Sequence, residues 1–181
     1  MRQQVQQHGL TVVLVMHQMG SHGPAYYKRS PPAMKLFQPE CTSHALQECP
    51  PEQIQNAYDN SLRNTDHLLA ETVRWLQTQQ RPTALVYVSD HGESLGEKGL
   101  YLHGMPYAMA PDEQTHVPMV VWLSARMQHA SGVTPDCVRG EAARPWSHDN
   151  LFHSVLGLAG VQTGSYRRPL DLFAACLPGA Q

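Results

Sequence analysis

An apolar run that delivers an acid and a histidine into a glycine-rich loop, ALVYVSDHGESLGEKGLYLH from Ala84 to His103, constrains this chain more than any other stretch. Ala84 to Val88 is rich in β-formers and lacks polar alternation, which predicts a central strand covered on both faces by helices. Ser89, Asp90, His91 and Gly92 follow at its carboxyl end. Ligands gather there in open α/β sheets, because the backbone turns away and side chains converge without being enclosed by the core. A carboxylate oxygen and an imidazole nitrogen together suit Zn²⁺ or a related divalent ion, and His103 returns across a loop that holds Gly92, Gly96 and Gly99. For an isolated Asp-His-Gly the competing reading is a turn with a capping Asp90 and a solvated His91. A phosphate cradle fits less well, since no Gly-Lys-Ser/Thr follows the glycines.

The remaining elements are read around that site. Thr11 to Met16, TVVLVM, predicts a second buried strand with His17 at its carboxyl end. Gly20 to Pro24 then presents His22 from a loop of small residues, either as a ligand or as an exposed imidazole on a tight connection. Lys28 and Arg29 read as a solvated pair. From Pro51 to about Gln79, Ile54, Ala57, Tyr58, Leu62, Leu68, Leu69, Val73 and Leu76 recur at helical steps, with Pro51 in the first turn and Arg81-Pro82 as the stop. Asp59, Asn60 and Asp66 are assigned to its wet face. Met105 to His116 reads as a loop over the pocket and Val117 to Leu123 as another buried strand; in a parallel sheet His116 would fall on the opposite edge from Asp90. Ala125 to Arg144 reads as a variable loop. Ser147 opens a capped helix with Leu151, Val155, Leu156 and Leu158 inward and His148 and Asp149 structural in its first turn. The tail from Gln162 onward carries no clear pattern.

Length and charge narrow the classes. The 181 residues suffice for one domain with a core, and a net charge of -2 supplies no field for nucleic acid or an anionic membrane surface. Eleven histidines against 13 lysines and arginines favour metal or phosphate chemistry. No apolar run reaches the roughly 18 residues of a membrane span, and MRQQVQQHGL is polar rather than signal-like.

The run SDHGESLGEKGLYLHGMPYAMAP, Ser89 to Pro111, resembles the signature of the lipid A phosphoethanolamine transferases, including the mobile colistin-resistance enzymes. HQMGSHGPAYYKR at His17 to Arg29, NAYDN at Asn56 to Asn60 and SHDNLFH at Ser147 to His153 resemble further blocks in the same order, covering roughly residues 11 to 160. The resemblance implies an α/β fold of the alkaline-phosphatase and sulfatase type, a sandwich with a mostly parallel central sheet. Residues 1 to 181 would form the C-terminal portion of its catalytic domain. It implies Zn as cofactor, Asp90 and His91 as metal ligands, His22 and His103 as catalytic residues, and His17, His22 and His103 as substrate-binding residues. It implies transfer of phosphoethanolamine from phosphatidylethanolamine to lipid A, hence polymyxin resistance, at the periplasmic face of the bacterial inner membrane. Membrane contact in the full-length family runs through an N-terminal region absent here. The family's threonine nucleophile and a further acidic ligand lie upstream of the matched part, so this chain is expected to be inactive alone. The rival readings are another sulfatase-superfamily hydrolase and an inactive metal-binding remnant.

Four cysteines complete the reading. Cys41 and Cys49 are too far apart for a CxxC motif and can close a short loop before the long helix; a disulfide is expected, and the family carries a similar loop. Such a bond implies an oxidising compartment. Cys137 and Cys176 are left unassigned between a bond and two small buried hydrophobes.

Overall fold

Helix α1 (Pro51–Gln77) follows the spacing that announced it, to within two residues of the expected end. The structure, a computed structural model, describes residues 11–177. These residues form two compact units, one from Gln18–Thr78 and Leu85–Val121, the other including Gln79–Ala84 and the residues from Trp122 onward.

The core of the first unit is built on one face of α1. Ile54 and Ala57 pack with Tyr26, Cys41 and Leu46, and Cys49, Tyr58, Leu95, Tyr101 and Leu102 close around them. Tyr26 therefore belongs to the core. Asn60 is fully buried, against the expectation of a wet face. Its carboxamide accepts from the Leu36 and Phe37 N–H groups at 2.9 and 3.0 Å and donates to the Phe37 carbonyl at 2.9 Å. The loop pairs only part of its own backbone, and the buried amide on the helix serves groups that no strand reaches.

Strand β1 (Ala84–Val88) pairs with β4 (Met119–Leu123). The bonds at the two ends of this pair run antiparallel: Ser124 N–H donates to the Thr83 carbonyl at 2.9 Å, and Gly92 N–H to the Gln114 carbonyl at 2.9 Å. His116 accordingly stands at the same end as Asp90 rather than on the opposite edge, as an exposed residue. Only Leu85 of β1 and Leu123 of β4 are buried, so the double-sided cover expected of both strands is incomplete among the described residues. Between the two strands, β2 (Ser94–Leu95) and β3 (Tyr101–Leu102) form a short antiparallel hairpin with Ser94 opposite Leu102. The hairpin is the expected return that carries His103 back beside His91. Helix α2 (Asp112–Thr115) then leads into β4.

The apolar run Thr11 to Met16 is not a buried strand. Val12, Val13, Leu14, Val15 and Met16 are between 46 and 83% exposed and take no ladder among the described residues. Hydrophobicity says what a segment would bury, whereas a strand also needs a neighbour to receive its N–H and C=O groups.

In the second unit, Ala125 to Arg144 is helical rather than loop. Helix α3 (Ala125–Ser131) is capped by Ser124, which accepts from Met127 N–H, and ends on Gly132 in the left-handed region. Helix α4 (Pro135–Glu141) is capped by Thr134, which accepts from Cys137 N–H, with Pro135 at its first position. These caps outweigh weak apolar periodicity. Helix α5 (Asp149–Leu158) buries Asn150, His153 and Ser154, not the expected leucines. The Asn150 amide donates to the Leu170 carbonyl, the Ser154 hydroxyl accepts from Leu172 N–H, and His153 Nδ1 accepts from Arg167 N–H. The tail is thereby ordered, with Phe173 fully buried.

Both cysteine pairs are bonded, Cys41 to Cys49 and Cys137 to Cys176, each with Cα atoms 5.8 Å apart. The loops they close differ, 8 against 39 residues of separation. In the chain-entropy account the shorter contributes about 2.5 kcal/mol and the longer about 4 kcal/mol. Urea denaturation of C41S/C49S and C137S/C176S should therefore rank the second pair as the more destabilising by about 1.5 kcal/mol.

Candidate metal centre

Three histidines from three separate segments converge in the first unit. His22 comes from the small-residue loop, His91 from the end of β1 and His103 from the end of β3; one ligand atom from each lies within 4.8 Å of the others. The His91 and His103 rings stack at 3.7 Å between centroids, and the His22 ring stands edge-on to both, at 5.9 and 4.9 Å.

The tautomers follow from the partners. His22 Nδ1 lies 2.7 Å from the Gly23 carbonyl, His91 Nδ1 2.9 Å from the Gly92 carbonyl, and His103 Nδ1 3.1 Å from Glu93 Oε1. Carbonyl oxygens only accept, and the Glu93 oxygen is a carboxylate acceptor, so all three Nδ1 atoms carry the hydrogen. Each ring is left with an Nε2 lone pair. Metal-ligating histidines ordinarily present this arrangement, the non-ligating nitrogen donating to a carbonyl or carboxylate that fixes ring orientation and raises ligand basicity. Zinc binds imidazole nitrogen at about 2.0–2.1 Å, which puts ligand atoms of one ion roughly 3.3 Å apart, a contraction that small ring rotations supply. The donor set fits the ion.

Glu93 is the residue that sequence reading passed over. Its side chain is 4% exposed. Oε1 accepts from Gly23 N–H at 3.1 Å and from His103 Nδ1–H, and Oε2 accepts from the Tyr26 hydroxyl at 3.0 Å. One carboxylate thus ties the His22 loop, the core tyrosine and the His103 hairpin together. The available signal was its position two residues after His91, which in extended backbone turns both side chains to one side.

Local backbone shape brings the segments close. A Cβ at Gly92 would collide with the Glu113 carbonyl, so only glycine lets the loop after His91 lie against α2. Leu102 takes φ 66°, a left-handed conformation costly for a leucine, and this turn swings His103 out of the hairpin.

The other expected residues are placed as follows. Asp90 is outside the cluster of three, with its side chain 73% exposed; its Oδ1 accepts from His91 N–H at 3.1 Å and lies 3.9 Å from His91 Nε2. His17 is exposed and falls in the other unit. Arg29 donates from Nε to the His22 carbonyl at 2.9 Å, and Lys28 Nζ lies 3.3 Å from His44 Nε2.

A histidine cluster at the end of a strand, on an α/β frame, is the kind of site found in metal-dependent phosphoryl and sulfuryl chemistry. The chain belongs to the sulfatase family, whose model, described as Sulfatase, matches residues 2–161. It is 47% identical over 167 residues to the phosphoethanolamine transferase EptA of Salmonella typhimurium, a match that covers 91% of this chain and 30% of that protein. It is 46% identical over 129 residues to the phosphatidylethanolamine transferase Mcr-1 of Escherichia coli, covering 70% of this chain and 23% of the relative. The fold matches the soluble domain of lipooligosaccharide phosphoethanolamine transferase A from Neisseria meningitidis with a TM-score of 0.86 at 40% identity, over 89% of this chain and 49% of that one. The chain spans about a third or less of the length of these curated relatives.

Two outcomes follow from the Glu93 network. Glu93→Gln keeps the shape and removes the charge facing His103, so zinc affinity measured by chelator competition should fall about 10- to 100-fold. Burial first, and then Glu93, hold the Tyr26 phenol well above its ordinary value. Loss of water first, and then hydrogen bonding to Asp171, push Tyr166 up to about 12. The unfolded chain releases these protons near pH 10, so the folded state binds more protons above that pH and stability falls as pH rises from about 10 upward. Denaturant midpoints should decline over that range, and Tyr26→Phe should flatten the decline.

Proposed function

We propose that this chain carries the histidine-rich part of a zinc-dependent phosphoethanolamine transferase, acting from phosphatidylethanolamine to lipid A at the periplasmic face of the inner membrane. The carrying observation is the set of three Nδ1–H groups held by oxygen acceptors on rings whose ligand atoms lie within 4.8 Å of one another, which leaves each ring an Nε2 lone pair. Its specificity for this transfer, over sulfate or other phosphate esters, rests on identity to EptA and Mcr-1 across the segments that build the site.

His91 is the central ligand, and Asp90 joins it, since its Oδ1 at 3.9 Å from Nε2 is within the span of two ligands on one ion. Bound zinc supplies a Lewis acid that stabilises charge on phosphoryl oxygens and lowers the pKa of a coordinated hydroxyl. His22 and His103 lie beside His91, with ring centroids 5.9 and 3.7 Å from it, and their Nε2 atoms either take a further ligand position or, protonated, donate to a phosphoryl or leaving oxygen. Glu93 acts through His103, as a positioning residue. His17 is assigned to the substrate side of the same reading. The nucleophile in this reading is a threonine outside residues 1 to 181, as the family resemblance implies. Strands outside the described residues would complete the mostly parallel sheet of the superfamily, and the exposed apolar run Val12 to Met16 supports this, being suited to lie against such a neighbour.

The test uses residues 1 to 181 purified under oxidising conditions, with zinc content measured on the chain and on Asp90→Ala and His91→Ala. Each substitution should weaken zinc binding at least about tenfold, since it deletes a ligand. Zinc retained by both variants refutes the ligand assignment. Incubated with zinc, a fluorescent phosphatidylethanolamine and lipid A, the chain alone should release no diacylglycerol above a zinc-only blank. Turnover well above that blank refutes a nucleophile outside the chain, and hydrolysis of soluble sulfate or phosphate esters in preference to lipid refutes the transferase reading.

A further inference from the structure

Four residues after His103, the chain raises a tip that nothing in its own unit covers. Pro106, Tyr107, Ala108 and Met109 are all exposed, Tyr107 at 87% and Met109 at 68%. Large apolar side chains presented together on one short turn are what soluble surfaces avoid unless something is bound there. The tip is closed on itself: Met109 N–H and Ala110 N–H both donate to the Pro106 carbonyl, at 2.8 and 2.9 Å, and Pro106 has no N–H to satisfy. Such a turn can enter a less polar medium at lower backbone cost than an open loop.

Charge points to the partner. Between Lys98 and Arg126 the sequence has no lysine or arginine, so the segment that carries the tip supplies no basic residue of its own for anionic lipid. Instead Asp112 and Glu113, both exposed, stand just behind it. A tyrosine and a methionine at the tip with carboxylates at its base match a surface whose outermost charges are ammonium groups over an apolar interior, the profile of a zwitterionic phospholipid leaflet. The tip also begins three residues after His103 of the histidine cluster, so the two share one short segment of chain.

We propose that the Pro106 to Met109 turn is a membrane-contact element that inserts Tyr107 and Met109 into the interface of a bilayer rich in zwitterionic phospholipid. The proposal rests on the lipid-substrate reading above, and it places a lipid contact inside this chain rather than in a separate anchor. The contact is apolar and shallow, so it resists salt.

The experiment is sedimentation of the full chain with vesicles of phosphatidylethanolamine and phosphatidylcholine, beside vesicles of phosphatidylglycerol. The parent should bind the zwitterionic vesicles at least as well as the anionic ones and change less than about twofold between low and high salt. Y107S/M109S, which leaves the histidines and Glu93 untouched, should bind at least about fivefold more weakly at unchanged zinc affinity. In a Tyr107→Trp variant, the added emission should shift to the blue on zwitterionic vesicles and be quenched by lipids brominated near the headgroup. No vesicle binding, equal binding by parent and double variant, or binding that collapses with salt would overturn the proposal; the second outcome would assign adhesion to another apolar surface such as Val12 to Met16. No turnover enters these measurements, so a failed zinc or transfer assay overturns the chemistry alone and a failed vesicle assay the tip alone.

Discussion

The Glu93 carboxylate is the point on which the site depends. It is nearly sealed from water and accepts from a backbone N–H and a phenol of the Gly23 to Tyr26 segment and from the imidazole of His103, far along the chain. Removing a carboxylate from water costs several kcal/mol, and that cost is offset only when most of its lone pairs are used. The three donors answer this requirement together. Losing any one leaves a buried charge partly unpaired, and the other two contacts become less favourable in turn. Geometry at His22 and His103 is therefore coupled through a side chain that need not touch the substrate.

Backbone constraints make the coupling possible. Gly92 lets the loop after β1 press against the carbonyl of Glu113, and its N–H pairs with the Gln114 carbonyl next door. Leu102 is held in a conformation that leucine disfavours, one residue before a cluster histidine. Strain of this kind persists only where surrounding contacts over-determine the chain, and here the β2–β3 hairpin on one side and the Glu93 bond on the other do so. Asn60 does the same for the loop that carries the first disulfide, spending one buried amide on backbone groups that no sheet or helix satisfies.

Family membership and chain length bear on different properties. The sulfatase-family match runs through nearly all of the chain, so the frame of the site is that of the family. The relatives are about three times as long as this chain. Exposed apolar residues separate into two kinds on this view. Val12 to Met16 is an apolar run rich in valine that takes no ladder among the described residues, whereas Tyr107 and Met109 sit on a turn in which the Met109 and Ala110 N–H groups donate to the Pro106 carbonyl.

Much was legible in the chain itself because it is local. The spacing of Ile54, Ala57, Leu62 and Leu69 specifies α1, since a helix needs only its own residues to pair its backbone. Ala84 to Val88 specifies a strand, and Asp90, His91 and His103 stand out because chemically versatile residues follow an apolar run. The caps at Ser124 and Thr134 were equally local and show that weak periodicity does not exclude helix. What tertiary structure decided is pairing at a distance. It made β4 antiparallel to β1, bonded Cys137 to Cys176, withheld a ladder from Thr11 to Met16 among the described residues, grouped His91 with His22 and His103, and bonded Glu93 to His103 and to the loop that follows His22. A carboxylate two residues after a histidine reads in sequence like any exposed acid; only when Gly23, Tyr26 and His103 fold around it does burial turn it into the anchor of the site.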